Sequence, residues 1–179
     1  MALSGTAADE KITNRTAGAM GPEDAEQIIR DHYNGIHRLA RHLTRNTDDA
    51  ADLAQMTFLK ACSKLDRYDG RSTMRSWLAG ILYHEFLHWR RGRRFFATLF
   101  DNHSFDPTDA ILTRETLLQA IHRLPRKLRD TFLLIEVHGF SLGEASIALN
   151  VPVGTLKSRL SAARTKLREL LPYEDNHEI

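Results

Sequence analysis

The sequence predicts an all-α protein, built from two small helical domains that are joined by a flexible linker. Over most of the chain, apolar residues recur at alternating spacings of three and four, which is typical of amphipathic helices. The alternating pattern of a half-buried strand is absent from the sequence. The helical periodicity breaks down between about Phe95 and Asp109, and this interruption divides the chain into two parts.

The composition is that of a globular protein and excludes several other classes. Of the 179 residues, 42% are hydrophobic and 27% are charged, and the formal net charge is only +2; charge alone therefore does not identify a nucleic-acid binder. The single cysteine, Cys62, excludes an internal disulfide framework and fits a reducing cytoplasm. Residues 1–22 contain no long apolar run. We expect them to form a disordered leader, and we expect no insertion of the protein into a membrane.

The first domain is predicted over residues 23–95 and contains three helices. The first helix begins after Pro22, and the second follows a capping signal at Asn46. The third begins near Ser72 or Thr73, contains Trp77 as a core residue, and runs into a strongly basic segment. Each helix has one apolar face, as a small bundle requires.

The second domain is predicted over residues 111–172. It follows the linker, assigned to residues 96–110, and precedes a short tail at 173–179. Pro125 marks the start of its second helix, and Gly139 marks the end of that helix. Because each domain is small, we expect two small cores with independent flexibility between them.

A helix-turn-helix motif is predicted within the second domain. Ser141 and Glu144 have the spacing of a capping box that starts a short helix, and Asn150, which tolerates the left-handed conformation, ends it. A longer helix opens near Pro152. In such a motif the second helix enters the major groove of DNA. Five cations lie on its predicted outward face: Lys157, Arg159, Arg164, Lys166 and Arg168. The alternative is a helical hairpin with a solvated basic face, but the concentration of cations favours DNA.

Within this domain, residues 124–125, 132–134, 139–141 and 152–160 resemble region 4 of the extracytoplasmic-function (ECF) sigma factors of the sigma-70 family. The resemblance implies recognition of the promoter −35 element and a contact with the β flap of RNA polymerase. The residues that it implies at the −35 element are Thr155, Lys157, Ser158, Arg159, Ala162 and Arg164. Members of the family commonly carry an arginine where this chain has Ala162, so the base preference on that side is not carried over.

The first domain resembles region 2 of the same family through residues 52–55, 58–61, 68–72 and 76–78. The two resemblances occur in the family's order and together cover almost all of residues 26–171. Region 2 implies a contact with the β′ clamp helices of core RNA polymerase, through Asp52, Gln55, Met56 and Leu59. The family usually has an acidic residue at Met56. Asp52 also lies where an acid complements the dipole of the second helix, and both roles can hold.

The resemblance also implies that region 2 captures the melted −10 element. The loop at residues 68–74 corresponds to the family's specificity loop, which holds a base flipped out of the duplex; the third helix would read the non-template strand and hold its phosphates. The residues implied at the −10 element are Asp69, Arg71, Tyr83, His84, His88, Arg90, Arg91, Arg93 and Arg94. Asparagines are frequent in the family at His84 and His88, so the preferred −10 sequence does not follow from the resemblance.

Through the resemblance, the expected function is that of a sigma factor. Such a protein directs core RNA polymerase to promoters and promotes DNA melting, in response to a signal and under the control of an anti-sigma factor. Bond formation belongs to the polymerase, so we expect no enzyme activity, catalytic residue, metal or cofactor in this chain.

Two other functions match parts of the sequence. His84, Glu85 and His88 match the H-E-x-x-H pattern of zinc peptidases, but the extended pattern would require glycine at Arg91 and histidine at Arg94. The neighbouring arginines would also repel a divalent cation. A stand-alone helix-turn-helix repressor or activator would explain the second domain, yet it leaves the pattern over residues 52–78 without a role. Gel shifts with and without core polymerase separate this rival from a sigma factor.

Overall fold

A computed structural model of the chain describes residues 22–97 and 114–171, with side chains at 23–92 and 116–171. The predicted leader and tail, and most of the predicted linker, lie outside the described residues. The helices, in chain order, are α1 (Pro22–Thr44), α2 (Thr47–Cys62), α3 (Met74–Ala97), α4 (Arg114–Arg123), α5 (Arg126–Phe132), α6 (Leu142–Leu149) and α7 (Val153–Leu170). A 3₁₀ turn at Leu65–Arg67 follows α2, and a π-helical turn at Leu133–Val137 extends α5. Within the described residues there is no β-strand, which confirms the all-α prediction.

The predicted start signals lie where the helices begin. The Asn46 side chain accepts the N–H groups of Asp48 and Asp49 at the start of α2. At the start of α6, Ser141 and Glu144 form a complete capping box, in which each side chain accepts the backbone N–H of the other residue. These bonds satisfy N–H groups that have no partner within the helix.

The helix ends use left-handed residues. Asn150 ends α6 with φ 51° and ψ 54°, and Gly139 follows the π-helical turn with φ 66°; both endings agree with the sequence prediction. Arg45 ends α1 with φ 63°, which the sequence did not indicate because arginine rarely takes this conformation.

The first half is a bundle of α1, α2 and α3. Side chains from all three helices meet in its core, where Trp77 lies partly buried against Tyr68 with ring centroids 5.2 Å apart. This agrees with the interpretation of Trp77 as a core residue. The buried apolar side chains include Ile36, Leu39, Phe58, Leu78, Leu82 and Phe86, and burying each such side chain contributes about 1.5–3 kcal/mol.

In the second half, α7 packs against both α5 and α6, and α6 also contacts the π-helical turn. Leu156, Ala163 and Leu167 form the buried stripe of α7. Leu133 and Leu134, from the π-helical turn, are fully buried beneath it. The opposite face of α7 remains exposed, so the core positions the helix whose cations the sequence singled out.

The two halves pack against each other, with α3 against α6. The sequence predicted two separate cores, whereas the buried side chains of both halves form one continuous cluster. Gly80 lies at this contact: a Cβ at this position would lie 3.7 Å from the Cα of Ala148, an ordinary van der Waals distance. A lone glycine within a helix gives no sequence signal of which partner it approaches, so this contact was not predicted.

Candidate nucleic-acid interface

The exposed face of α7 carries the residues that the sequence assigned to DNA. Its apolar stripe is buried and turns this face outward. Arg159 is half-buried at the edge of the face. The other assigned residues are exposed: Thr155, Lys157, Ser158, Ala162 and Arg164. At 3.6 residues per turn, Thr155, Ser158, Arg159 and Ala162 share one side of α7. Lys157 and Arg164 lie on another side, where they line a groove with Leu160, Ser161 and Arg168.

The turn before α7 is fixed by hydrogen bonds. The Ser146 hydroxyl donates to the Val151 carbonyl at 2.7 Å, and the Val151 N–H donates to the Ser146 carbonyl at 3.1 Å. These bonds hold the end of α6 to the start of α7. Arg164, farther along α7, donates to the Glu136 carboxylate at 2.5 Å. This contact uses one nitrogen of the guanidinium, whose side chain is 56% exposed, and its other N–H groups can still donate to a phosphate.

A second cationic surface lies along α3. Arg90 and Arg91, together with Leu87, line a surface groove that Arg126 of α5 closes from the other side. Arg93 and Arg94 continue α3. They come after residue 92, the last residue of this helix whose side chain is described. The groove thus gathers cations from both halves of the molecule.

His84 and His88 lie exposed on α3, one turn apart. Their Nε2 atoms are 3.3 Å apart. Between them in sequence, the largely buried Glu85 carboxylate accepts from Lys60 of α2 at 2.7 Å and from His84 Nδ1 at 3.2 Å. Burial opposes ionisation of Glu85, but the hydrogen bond from Lys60 and then the one from His84 hold its pKa below the usual range.

Tyr83 lies in the contact between the halves and is not presented on an open surface. Its hydroxyl donates to Oδ2 of Asp130 at 2.8 Å, and Asp130 is 1% exposed. Burial, reinforced by the Asp130 carboxylate, raises the pKa of Tyr83. Burial also raises the pKa of Asp130, against the opposing effect of the Tyr83 hydrogen bond. Arg159 of α7 is near enough to act on the Tyr83 hydroxyl, so residues assigned to the two promoter elements lie close together.

The tip of the loop, residues 69–71, is exposed to solvent. Arg71 Nε lies 3.1 Å from Oδ2 of Asp69, and the Arg71 N–H donates to Oδ1 of the same carboxylate. Gly70, between them, has φ 71°, a conformation that glycine takes without strain. The loop thus presents a preformed turn with two charged side chains on its outside.

The outer face of α2 carries the residues assigned to the polymerase. Asp52 and Gln55 are exposed, and the apolar side chains of Met56 and Leu59 are 45% and 60% exposed. Exposed apolar residues rimmed by polar ones mark surfaces that bind other proteins. The opposite face of α2 is buried, so the core fixes this surface in place.

Sequence reasoning missed the polar contacts that join the halves. His42 of α1 and His138 share a hydrogen bond at 2.8 Å between their rings. Arg75 of α3 donates to the His138 carbonyl and stacks over the Phe140 ring, 4.0 Å from its centroid. Burial, followed by the nearby His42, lowers the pKa of His138 to about 3. These residues are far apart in the chain, and no local pattern marks such pairs.

The sequence of both halves matches known protein families. Residues 28–96 match Sigma-70 region 2, and residues 114–167 match Sigma-70, region 4. The ECF RNA polymerase sigma factor EcfG of Rhodopseudomonas palustris is 34% identical over 150 residues, which cover 80% of this chain and 82% of EcfG. The ECF RNA polymerase sigma factor SigM of Mycobacterium tuberculosis is 31% identical over 151 residues, covering 83% of this chain and 77% of SigM. The chain belongs to the family of ECF RNA polymerase sigma factors.

A solved sigma factor has the same fold. The sigma factor RpoE of Bartonella quintana, in its complex with the anti-sigma factor NepR, superposes with a TM-score of 0.70 at 29% identity. The match covers 83% of this chain and 96% of RpoE.

As an ECF sigma factor, the protein binds core RNA polymerase and promoter DNA and directs the initiation of transcription. Among the residues that the structure describes, no helix is long and apolar enough to cross a membrane.

Proposed function

We propose that α7 reads the −35 element, and that the loop at 68–74 and the exposed face of α3 hold the melted −10 strand. The observation that carries this proposal is the cationic, outward face of α7, which a helix-turn-helix presents to the major groove. Lys157, Ser158 and Arg159 lie in the early part of this helix, where base edges are read. The turn at Gly70 and the cations of α3 support a site for single-stranded DNA.

The −35 assignment is tested by run-off transcription with purified core polymerase on a library of genomic fragments. Start sites would reveal both promoter elements. Arg159→Glu should abolish initiation at promoters that depend on the −35 element, while association with core polymerase stays unchanged. Lys127→Glu, an exposed charge reversal on α5, is the matched control and should initiate normally. Loss of core association in the Arg159 variant would contradict the assignment.

We further propose that the outer face of α2 contacts the β′ clamp helices. Its exposed Met56 and Leu59 have the apolar character of a protein interface, and Asp52 and Gln55 supply a polar rim. Region 4 would in turn contact the β flap. The protein would act in the cytoplasm, where the polymerase works, as a non-catalytic subunit.

An anti-sigma factor is proposed as the controlling partner. The similarity to RpoE, which was solved with its anti-sigma factor NepR, supports this. The tagged chain, purified from its own host without an inducing signal, should carry a stoichiometric protein that blocks run-off transcription. If the purified chain carries polymerase subunits and no other protein, the proposed regulation by an anti-sigma factor is wrong.

A further inference from the structure

The groove between α3 and α5 has a lining that suits an anion. Arg90 and Arg91 of α3 and Arg126 of α5 line it together with Leu87, and its volume is about 220 Å³. Arg90 and Arg126 are half-buried, whereas Arg91 is exposed. Among the lining residues that the structure describes, none is acidic. Three arginines therefore border one small space that is open to solvent.

A carboxylate lies close to this groove, but it is buried and already bonded. Asp130 is 1% exposed, and its Oδ2 accepts the Tyr83 hydroxyl at 2.8 Å. Burial raises the pKa of Asp130, and the Tyr83 hydrogen bond opposes that rise. Nearby cations act in the same direction as this bond; they are Arg129, Arg126 and Arg90. Asp130 balances at most one of these positive charges, so the groove keeps a positive excess.

The lining and the volume together indicate the class of ligand. A guanidinium group binds phosphate oxygens through paired N–H donors in a planar fork. Drug-sized ligands occupy pockets of about 300–1,000 Å³, so a groove of about 220 Å³ suits a smaller ion. We propose that the groove binds a short oligophosphate, a chain of two or three phosphates, between Arg126 of one half and Arg90 and Arg91 of the other.

This site depends on the contact between the halves. Arg90 and Arg91 belong to the first half and Arg126 to the second, so the three arginines border one groove because the halves touch. A ligand that binds one of two arrangements shifts the population towards that arrangement. A bound oligophosphate therefore holds the halves together.

The effect on transcription rests on the function proposed above. Arg90 and Arg91 are assigned to the phosphates of the −10 strand, and a bound oligophosphate occupies the same two side chains. The ligand and the promoter strand therefore compete, and initiation falls as the oligophosphate concentration rises.

Isothermal titration of the full chain with sodium tripolyphosphate, at fixed ionic strength, tests the site directly. We expect one tripolyphosphate per chain, and an affinity at least tenfold weaker in Arg126→Gln. Lys127→Gln is the matched control, because it removes the same charge from the adjacent, exposed residue of α5, and it should bind as the wild type does. Equal affinities in the wild type and both variants, or an equal loss in both variants, would overturn the proposal.

A second variant keeps every lining residue. Gly80→Leu adds a large side chain where α3 meets α6, so it should part the halves and weaken tripolyphosphate binding at least tenfold. Unchanged affinity in a chain whose radius of gyration has grown would show that the site does not need both halves. Titration with single-stranded DNA separates the two sources of phosphate. If Arg126→Gln weakens the binding of DNA and leaves that of tripolyphosphate unchanged, the groove serves the promoter strand and the proposal is wrong.

Run-off transcription, with free magnesium held constant, tests the competition. Each chain is compared with its own activity without tripolyphosphate, and the wild type should be suppressed at least fivefold more than Arg126→Gln. Specific start sites from a chain that does not bind tripolyphosphate would remove the site and leave the proposed function standing. Binding with equal suppression of both chains would refute the competition.

Discussion

Tyr83 and Asp130 form a buried pair whose loss can be measured. The Tyr83 hydroxyl donates to Oδ2 of Asp130, whose other carboxylate oxygen has no hydrogen-bond partner. Tyr83→Phe leaves that carboxylate without its donor, which costs about 1–3 kcal/mol for a buried acceptor. We expect urea unfolding to show this loss in the free energy of unfolding. Tyr33→Phe, at a residue that is 39% exposed, is the control, and equal losses in both variants would contradict the role of the pair.

His138 makes stability depend on pH. Its pKa in the folded chain is about 3, below the ordinary value of about 6.5, so the unfolded chain takes up the proton first as the pH falls. The neutral His138 ring therefore makes its full contribution to the free energy of unfolding above about pH 6.5. This contribution is lost as the pH falls from there towards 3. Between pH 7 and pH 5 the loss is about 2 kcal/mol. The neighbouring His122, whose pKa burial lowers to about 4, acts in the same direction.

The measurement is urea unfolding of the wild type and of His138→Gln at pH 7 and at pH 5. Between pH 7 and pH 5, the free energy of unfolding should fall by about 2 kcal/mol less in the variant than in the wild type, whatever the variant's stability at pH 7. His37→Asn should keep the wild-type dependence, because His37 lies outside the contact between the halves. An unchanged pH dependence in His138→Gln would show that this ring is not held neutral by burial.

At the scale of elements, the sequence predicted what short-range chemistry determines. Asn46, Ser141 and Asn150 act within three residues of their own position, so their capping signals can be read directly from the chain. The packing of α3 on α6 depends on residues distant in sequence, and no local signal marked the π-helical turn after α5. The exposed faces of α2 and α7 follow from the spacing of apolar residues within each helix, so they were predictable. The burial of Tyr83 against Asp130 joins residues distant in sequence, so it was not.

Gly80 lies where α3 contacts α6. A methyl group at this position would make an ordinary contact with Ala148, at 3.7 Å, so Gly80→Ala should keep the halves together. Gly80→Leu adds a larger side chain where the helices touch and should separate them, because packed interiors tolerate little added volume. Small-angle scattering should show a larger radius of gyration for the leucine variant alone. Gly35→Leu, at a position with no atom within 4 Å, is the control; expansion in both leucine variants would point to a general loss of packing.

At the scale of the whole molecule, the contact between the halves conflicts with simultaneous promoter reading. The −10 and −35 elements are about 25 base pairs apart, or about 85 Å along DNA at 3.4 Å per base pair. The helices assigned to them belong to halves that touch at Gly80 and Ala148. Residues 98–113 would reach at most about 55 Å if fully extended, which, with the widths of the two halves, suffices to span the promoter. We therefore predict that the two halves separate when the protein initiates transcription on the polymerase.

A disulfide across the contact tests whether opening is required. Gly80→Cys with Ala148→Cys, in a Cys62→Ser background, places two thiols at the contact between α3 and α6, where a Cβ at position 80 lies 3.7 Å from the Cα of residue 148. The oxidised chain should give less than a tenth of the wild-type run-off product, because it cannot span both elements, and reduction should restore initiation. The Cys62→Ser chain should be active in both states. Full activity of the oxidised chain, with the bond confirmed by mass spectrometry, would show that the halves read the promoter without parting.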